Sequence, residues 1–207
     1  MKRIASFLLV ISLLISCFTI TAFASNSSDS YYFEQLNGTL IRTTDVAGRI
    51  ITEWRDNNGE VATVIQYPDG RIYLDGDLVF TLSNDLENSI FSRSQGNVSN
   101  VTLFSSFPDD LNWGKWNYFS ENIPTGGKTG AQITALIGAC VPGLLAHLTT
   151  SVIQDIQKYD YIEIRGKIQY AEDQTFAYYR RYSNCYGNGS KKIFTNGDIY
   201  DEGRERL

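Results

Sequence analysis

Between Tyr178 and Lys192 the chain sets Tyr178, Tyr179, Tyr182 and Tyr186 among Arg180, Arg181, Lys191 and Lys192, and no acidic residue interrupts the stretch from Asp173 to Asp198. Cationic heads interleaved with aromatic rings suit an anionic surface, whether a lipid headgroup layer or a cell-wall polymer. The same residues have a structural use, because basic side chains keep an edge strand from pairing with other chains. A second aromatic group, Trp113-Gly114-Lys115-Trp116-Asn117-Tyr118-Phe119, offers Trp113 and Trp116 for sugar stacking or for a membrane interface. Its structural alternative is a buried aromatic cluster, since large rings usually supply core area.

Covalent and metal chemistry find less support. His147 is the single histidine, which excludes multi-histidine metal sites and limits any triad to that residue. Gly127-Lys128-Thr129 resembles the end of a phosphate-binding loop, but Asn122 stands where that pattern needs glycine. Asp109-Asp110 and Glu172-Asp173 are adjacent carboxylates in turn-like contexts, and adjacency does not produce the separation that glycosidase chemistry needs. We therefore expect no cofactor, no metal and no enzymatic activity. Cys140 and Cys185 are expected to form a disulfide closing a loop of about 45 residues, worth about 3–4 kcal/mol in the chain-entropy picture. The rival reading, a catalytic thiol at Cys140, would need His147 on the same helix as its base.

The elements that must position these residues follow from periodicity and turn chemistry. Strands are predicted at Leu40–Thr44, Arg49–Arg55, Val61–Tyr67, Arg71–Leu74 and Leu78–Leu82. They are punctuated by Asp56-Asn57-Asn58-Gly59, Pro68-Asp69-Gly70 and Asp75-Gly76-Asp77. Ala131, Ala135, Ala139 and Gly143 recur four apart, and Ile133, Ile137, Cys140, Leu144, Leu148 and Ile156 build an apolar stripe. A helix N-capped by Thr129 is expected, kinked or restarted at Pro142. Past Asp160 the period becomes two: Ile162, Ile164, Ile168 and Tyr170 alternate with Tyr161, Glu163, Arg165 and Lys167, as in a half-buried antiparallel strand. A second strand, Thr175–Cys185, and a third, Lys191–Thr195, complete the ribbon. The expected class is α+β: an N-terminal antiparallel β-meander, a polar spacer, then a Gly/Ala-rich central helix packed on an antiparallel sheet.

Export is expected from the N-terminus. Met1-Lys2-Arg3, an uncharged apolar run and Ala22-Phe23-Ala24 form a secretory signal peptide over residues 1–24, cleaved before Ser25. Leu14-Ile15-Ser16-Cys17 also looks like a lipobox, so lipid anchoring at Cys17 is the alternative. The whole chain has 207 residues, 18 Lys and Arg, 23 Asp and Glu, and a net charge of −5. That balance argues against nucleic acid as a partner. Residues 25–82 read as an acidic β-rich accessory or pro-like module, 83–106 as a Ser/Asn-rich linker, and 107–207 as a helix-plus-sheet module. Between 25 and 106 there are five arginines, no lysine and eleven acids, whereas 107–207 is close to neutral.

The layout as a whole resembles the geobacillin-like family of larger secreted bacteriocins from Gram-positive bacteria. The likeness rests on the leader, the acidic strand-rich region, the spacer, Trp113-Gly114-Lys115-Trp116-Asn117-Tyr118, the Gly/Ala-rich helix and Tyr178-Tyr179-Arg180-Arg181-Tyr182. It implies an antibacterial protein acting on a bacterial envelope or anionic membrane surface, with an immunity protein as a possible partner. It supplies no catalytic residue and no oligomeric state. Two further classes compete with it: a secreted or surface-associated binding module for cell-wall or carbohydrate ligands, and a secreted hydrolase. The second of these accounts only for export.

Overall fold

The computed structural model describes residues 28–82, 107–108, 110–194 and 197–206. The expected signal peptide, Cys17, the expected cleavage point before Ser25 and the expected spacer 83–106 lie outside the described residues. The chain folds as a mixed α+β structure of two antiparallel sheets and a few short helices.

The first sheet is a meander of β1 (Ser28–Phe33), β2 (Gly38–Thr44), β3 (Ile50–Asp56), β4 (Val61–Gln66), β5 (Arg71–Leu74) and β6 (Asp77–Thr81), paired in chain order. The turns form where the sequence places them. The Asp56 carboxylate accepts from the backbone N–H of Asn58 at 2.9 Å and of Glu60 at 2.7 Å, so the turn is held by its own side chain. Asp75 and Gly76 take φ of 50° and 98°, the pair of positive values that a tight hairpin needs. Strand β1 was not expected. Its Ser-Asp-Ser start carries no alternating apolar signal, and it is held as an edge by pairing with β2 from Ser28↔Thr43 to Phe33↔Gly38.

One face of the meander is apolar: Leu40, Trp54, Ala62, Val64, Ile72 and Leu74 are buried there. Helix α1 (Gly130–Cys140) packs against β3 and β4 on that face. Thr129 caps it as expected, accepting from Gln132 N–H while the Gln132 side chain accepts from Thr129 N–H. Nine of its eleven residues are buried, so the helix is apolar all round rather than amphipathic. The small residues permit this closeness. A Cβ on Gly138 would lie 2.8 Å from Leu40 Cδ1, inside contact distance.

Pro142 ends the helix, because it lacks the N–H that a further turn requires. A 3-10 segment, Pro142–His147, and helix α2 (Thr150–Ile156) follow. The second sheet contains β7 (Asn117–Pro124), β8 (Tyr161–Glu172), β9 (Phe176–Gly187), the two-residue β10 (Lys191–Lys192) and β11 (Ile199–Arg206). Its order is β7-β8-β9, with β10 and β11 both pairing β9. The expected third strand shrinks to β10, and β11 takes most of the edge of β9.

The sequence groups the central helix with the C-terminal sheet, yet its extensive strand contacts are with the meander. A single apolar cluster runs from Leu36, Leu40, Trp54 and Val64 through Leu136, Ile137 and Leu144 to Ile123, Ile162, Ile164 and Ile199. The charge asymmetry between the two halves therefore describes their solvent-facing side chains and not separate cores.

Candidate functional site

Register decides what each face of the second sheet can do. Phe119, Glu121 and Ile123 of β7, Ile162, Ile164 and Ile168 of β8, and Arg181, Ser183 and Cys185 of β9 are buried on the inner face. A glycine is required within this layer, since a Cβ on Gly166 would lie 2.3 Å from the Tyr182 carbonyl oxygen and 2.7 Å from the Phe119 ring. The alternate residues form the outer face. There Tyr118, Lys167, Tyr182 and Tyr200 stand directly opposite one another across β7, β8, β9 and β11.

Around that row the aromatic and cationic side chains interlock. Arg180 lies over the Trp113 ring at 4.3 Å and the Trp116 ring at 5.5 Å. Lys167 Nζ lies 4.8 Å from the centre of Trp116 and 5.2 Å from that of Tyr182. Tyr182 in turn packs on Trp116 at 5.6 Å and on Tyr200 at 5.0 Å. Phe107 stands edge-on to Trp113 at 5.2 Å and closes the end of the ladder. Arg180 Nε donates to Gln169 Oε1 at 2.8 Å, and Gln169 donates to the Gly114 carbonyl. These bonds tie the Trp113–Trp116 segment to the sheet. Tyr118 remains 79% exposed, Tyr200 40% and Tyr182 36%, so the row faces solvent. Burial and a hydrogen bond from its hydroxyl to Glu202 push the Tyr200 phenol well above its ordinary range.

The residues expected in the binding surface divide. Trp113, Trp116, Arg180 and Tyr182, read from the sequence as two separate groups, are brought together. Arg181 is not with them: it lies 2% exposed on the inner face, because adjacent residues of a strand point to opposite sides. Tyr178 is also 2% exposed, covered edge-on by Phe107 and donating from its hydroxyl to Asp173 at 2.7 Å. Lys192 pairs with Asp198 at 3.3 Å, and Lys191 lies 6.0 Å from the Tyr159 ring. The four basic residues of the ribbon therefore do not share one exposed face. Arg181 is withdrawn from the surface and Lys192 is locally neutralised.

Lys167 was missed by the sequence reading. The signal that would have found it is its place on the polar side of the Ile162–Tyr170 alternation, once β8 is paired with β9. Neither Lys167 nor Arg180 has a carboxylate within ion-pair distance among the described residues. Further along the same face, Arg165 is held by Glu163 at 2.6 Å while lying 4.7 Å over Tyr186. That Arg165 bond is the main reason the Glu163 carboxyl sits below the usual range, and burial opposes it.

Cys140 and Cys185 are fully buried in the common core. Burial raises both thiols, Cys185 to about 12 and Cys140 further, with the Glu121 charge adding at Cys140. A thiol so raised is a poor nucleophile, which disfavours the catalytic-cysteine alternative. His147 is exposed at the end of its 3-10 segment. Among the described residues no cluster of three or more metal-ligating side chains occurs, and no helix is long and apolar enough to cross a membrane. No protein-family model matches the chain, and neither a curated protein nor a solved structure matches it.

Proposed function

We propose that this chain is an exported, non-enzymatic, bacteriocin-like antibacterial protein that docks on a bacterial envelope through the outer face of its second sheet. The observation that carries the reading is the solvent-facing row Tyr118–Lys167–Tyr182–Tyr200 with Trp116 and Arg180 beside it, in which two cations are held by rings and have no ion-paired carboxylate among the described residues. Cation and ring together suit an anionic surface at modest distances and ordinary salt. The antibacterial outcome rests on the sequence layout, and the docking face on this geometry.

Action through a surface also fits the central helix. With nine of eleven residues buried between structural layers, α1 belongs to the core, and releasing it would expose that core to water. The chain acts from outside the bilayer in this account, with residues 107–207 presenting the face and residues 25–82 as an accessory module that covers the helix. Cys140 and Cys185 join as a disulfide after export.

A growth-inhibition spot test with residues 25–207, run beside a pull-down on whole Gram-positive cells, tests the proposal. Binding with a zone of inhibition is expected. Binding without inhibition would leave the binding-module alternative, and absence of binding would remove the docking face from the account. Intact mass after denaturation and alkylation without reductant tests the disulfide, and two added labels would contradict it.

A further inference from the structure

We infer that the ligand of this face is a phosphodiester-linked wall glycopolymer, gripped through its phosphates by Lys167 and Arg180; the inference rests on the envelope-docking reading above. Three observations select phosphate over neutral sugar and over a bilayer.

The first is what the rings are already doing. A pyranose stacks on an aromatic face that is free to receive it. Here Arg180 occupies a face of Trp113 at 4.3 Å, and Lys167 sits between Trp116 and Tyr182 at 4.8 and 5.2 Å. These three rings hold cations in position and so leave the cations to meet the ligand, while Tyr118, 79% exposed at the end of the row, is the ring open to a sugar unit of the same polymer.

The second is the bonding capacity left over. Lys167 Nζ makes no hydrogen bond or ion pair among the described residues, so its three N–H donors stay available. Arg180 spends Nε on Gln169 and keeps its terminal nitrogens, which suit two oxygens of one phosphate. The nearest acids make their hydrogen bonds elsewhere: Glu202, opposite Arg180, accepts from the Tyr200 hydroxyl, and Asp198 accepts from Asn184 and Lys192 while feeling Lys167 only through space. Lys167 pairs with Tyr182, and Gln169 with Arg180. The two cations are thus diagonal neighbours, with backbones about 7–8 Å apart. Both heads border the Trp116 ring, Lys167 Nζ at 4.8 Å and Arg180 Cζ at 5.5 Å, so one stretch of a polyanion can meet both.

The third is what the face lacks. Docking on lipid buries apolar side chains about 5–10 Å into the headgroup boundary. Apart from its rings, this face presents Ser120, Asn122, Glu163 and Arg165, and no aliphatic side chain of β7, β8 or β9 projects from the centre of the row.

The experiment uses isolated Gram-positive cell walls, half of them stripped of phosphodiester polymers with hydrofluoric acid, and vesicles of phosphatidylcholine with phosphatidylglycerol as a third surface. The wild-type chain is expected to bind intact walls, to lose at least tenfold in affinity on stripped walls, and to bind vesicles more weakly than intact walls. Lys167→Gln with Arg180→Gln should lose at least tenfold on intact walls and flatten the salt dependence, with melting temperature as the check that the variant is folded. Equal binding to stripped and intact walls would overturn the phosphate inference while leaving envelope docking in place. Vesicle binding stronger than wall binding would overturn it in favour of a lipid surface. Binding to none of the three would overturn both. The comparison of wall preparations needs only the wild-type protein, so it decides even if the variant misfolds.

Discussion

The two sheets carry the same pairing of arginine with aromatic ring in different electrostatic settings. On the first sheet, Arg49 and Arg71 flank Tyr67 at 5.7 and 5.2 Å, and each is also bound to a carboxylate: Arg49 to Asp45 at 2.6 Å and Arg71 to Asp69 at 2.7 Å. Those four charges cancel, and the cluster stiffens two turns. On the second sheet, Arg180 and Lys167 lie on Trp113, Trp116 and Tyr182 without such partners among the described residues. In the proposed docking, a ring-held cation is therefore not by itself a binding signal. The distinction lies in whether a carboxylate completes it.

The largest effect that bears on this comparison concerns the core shared by the sheets. Leu136→Ala in α1 should cost about 3 kcal/mol, as for other fully buried leucines, and the protein should still unfold in one transition seen by both sheets. Two separate transitions in a calorimetric scan would mean that the sheets are independent units and that the comparison joins unrelated domains. Next in size is Gly166→Ala. Its Cβ would press on the Tyr182 carbonyl and the Phe119 ring, and about 1–3 kcal/mol should be lost to overpacking. The row above it should shift as well. A variant as stable as wild type by chemical denaturation would show that the strands can spread at no cost.

The contrast between the sheets sharpens with a matched pair of substitutions. Arg71→Gln should leave stability nearly unchanged, as expected of an exposed ion pair, and leave wall binding unchanged. Arg180→Gln should cost about as little stability and yet weaken binding several-fold. Equal binding losses in the two variants would erase the distinction. The smallest effect is a pH dependence at Glu163. Its folded carboxyl is held low by Arg165, so its contribution is present above the unfolded value of about 4.3 and disappears as pH falls through the folded value. Glu163→Gln should flatten the acid limb of the stability curve by a few tenths of a kcal/mol, and an unchanged limb would count against the pair.

Local chemistry made much of this legible in advance. Gly59, Gly70 and Gly76 all adopt positive φ at the expected turns, and the Thr129 cap and the break at Pro142 occur where backbone donors require them. The strand alternation around Ile162, Ile164 and Ile168 also separated core from surface correctly. What stayed hidden is long-range. The partner of an all-apolar helix cannot be read from its own sequence, so the packing of α1 on β3 and β4 was not foreseen. Strand β11 carries Asp201-Glu202-Gly203-Arg204, which has no apolar period to announce a strand, and it exists through pairing with β9. The candidate site was half legible for the same reason. Arg180 and Arg181 are neighbours in sequence and opposites in space, while Lys167 joins the site only through cross-strand register.

The central claim is that Lys167 and Arg180 form a cationic contact that the corresponding pair on the first sheet does not. Measuring the affinity of wild type, Lys167→Gln with Arg180→Gln, and Arg49→Gln with Arg71→Gln for intact Gram-positive walls across a salt series tests it most directly. At least tenfold weaker binding and a shallower salt slope are expected for the second-sheet variant, with the first-sheet variant indistinguishable from wild type. Identical affinities and slopes in all three proteins, or an equal loss in both variants, would contradict it.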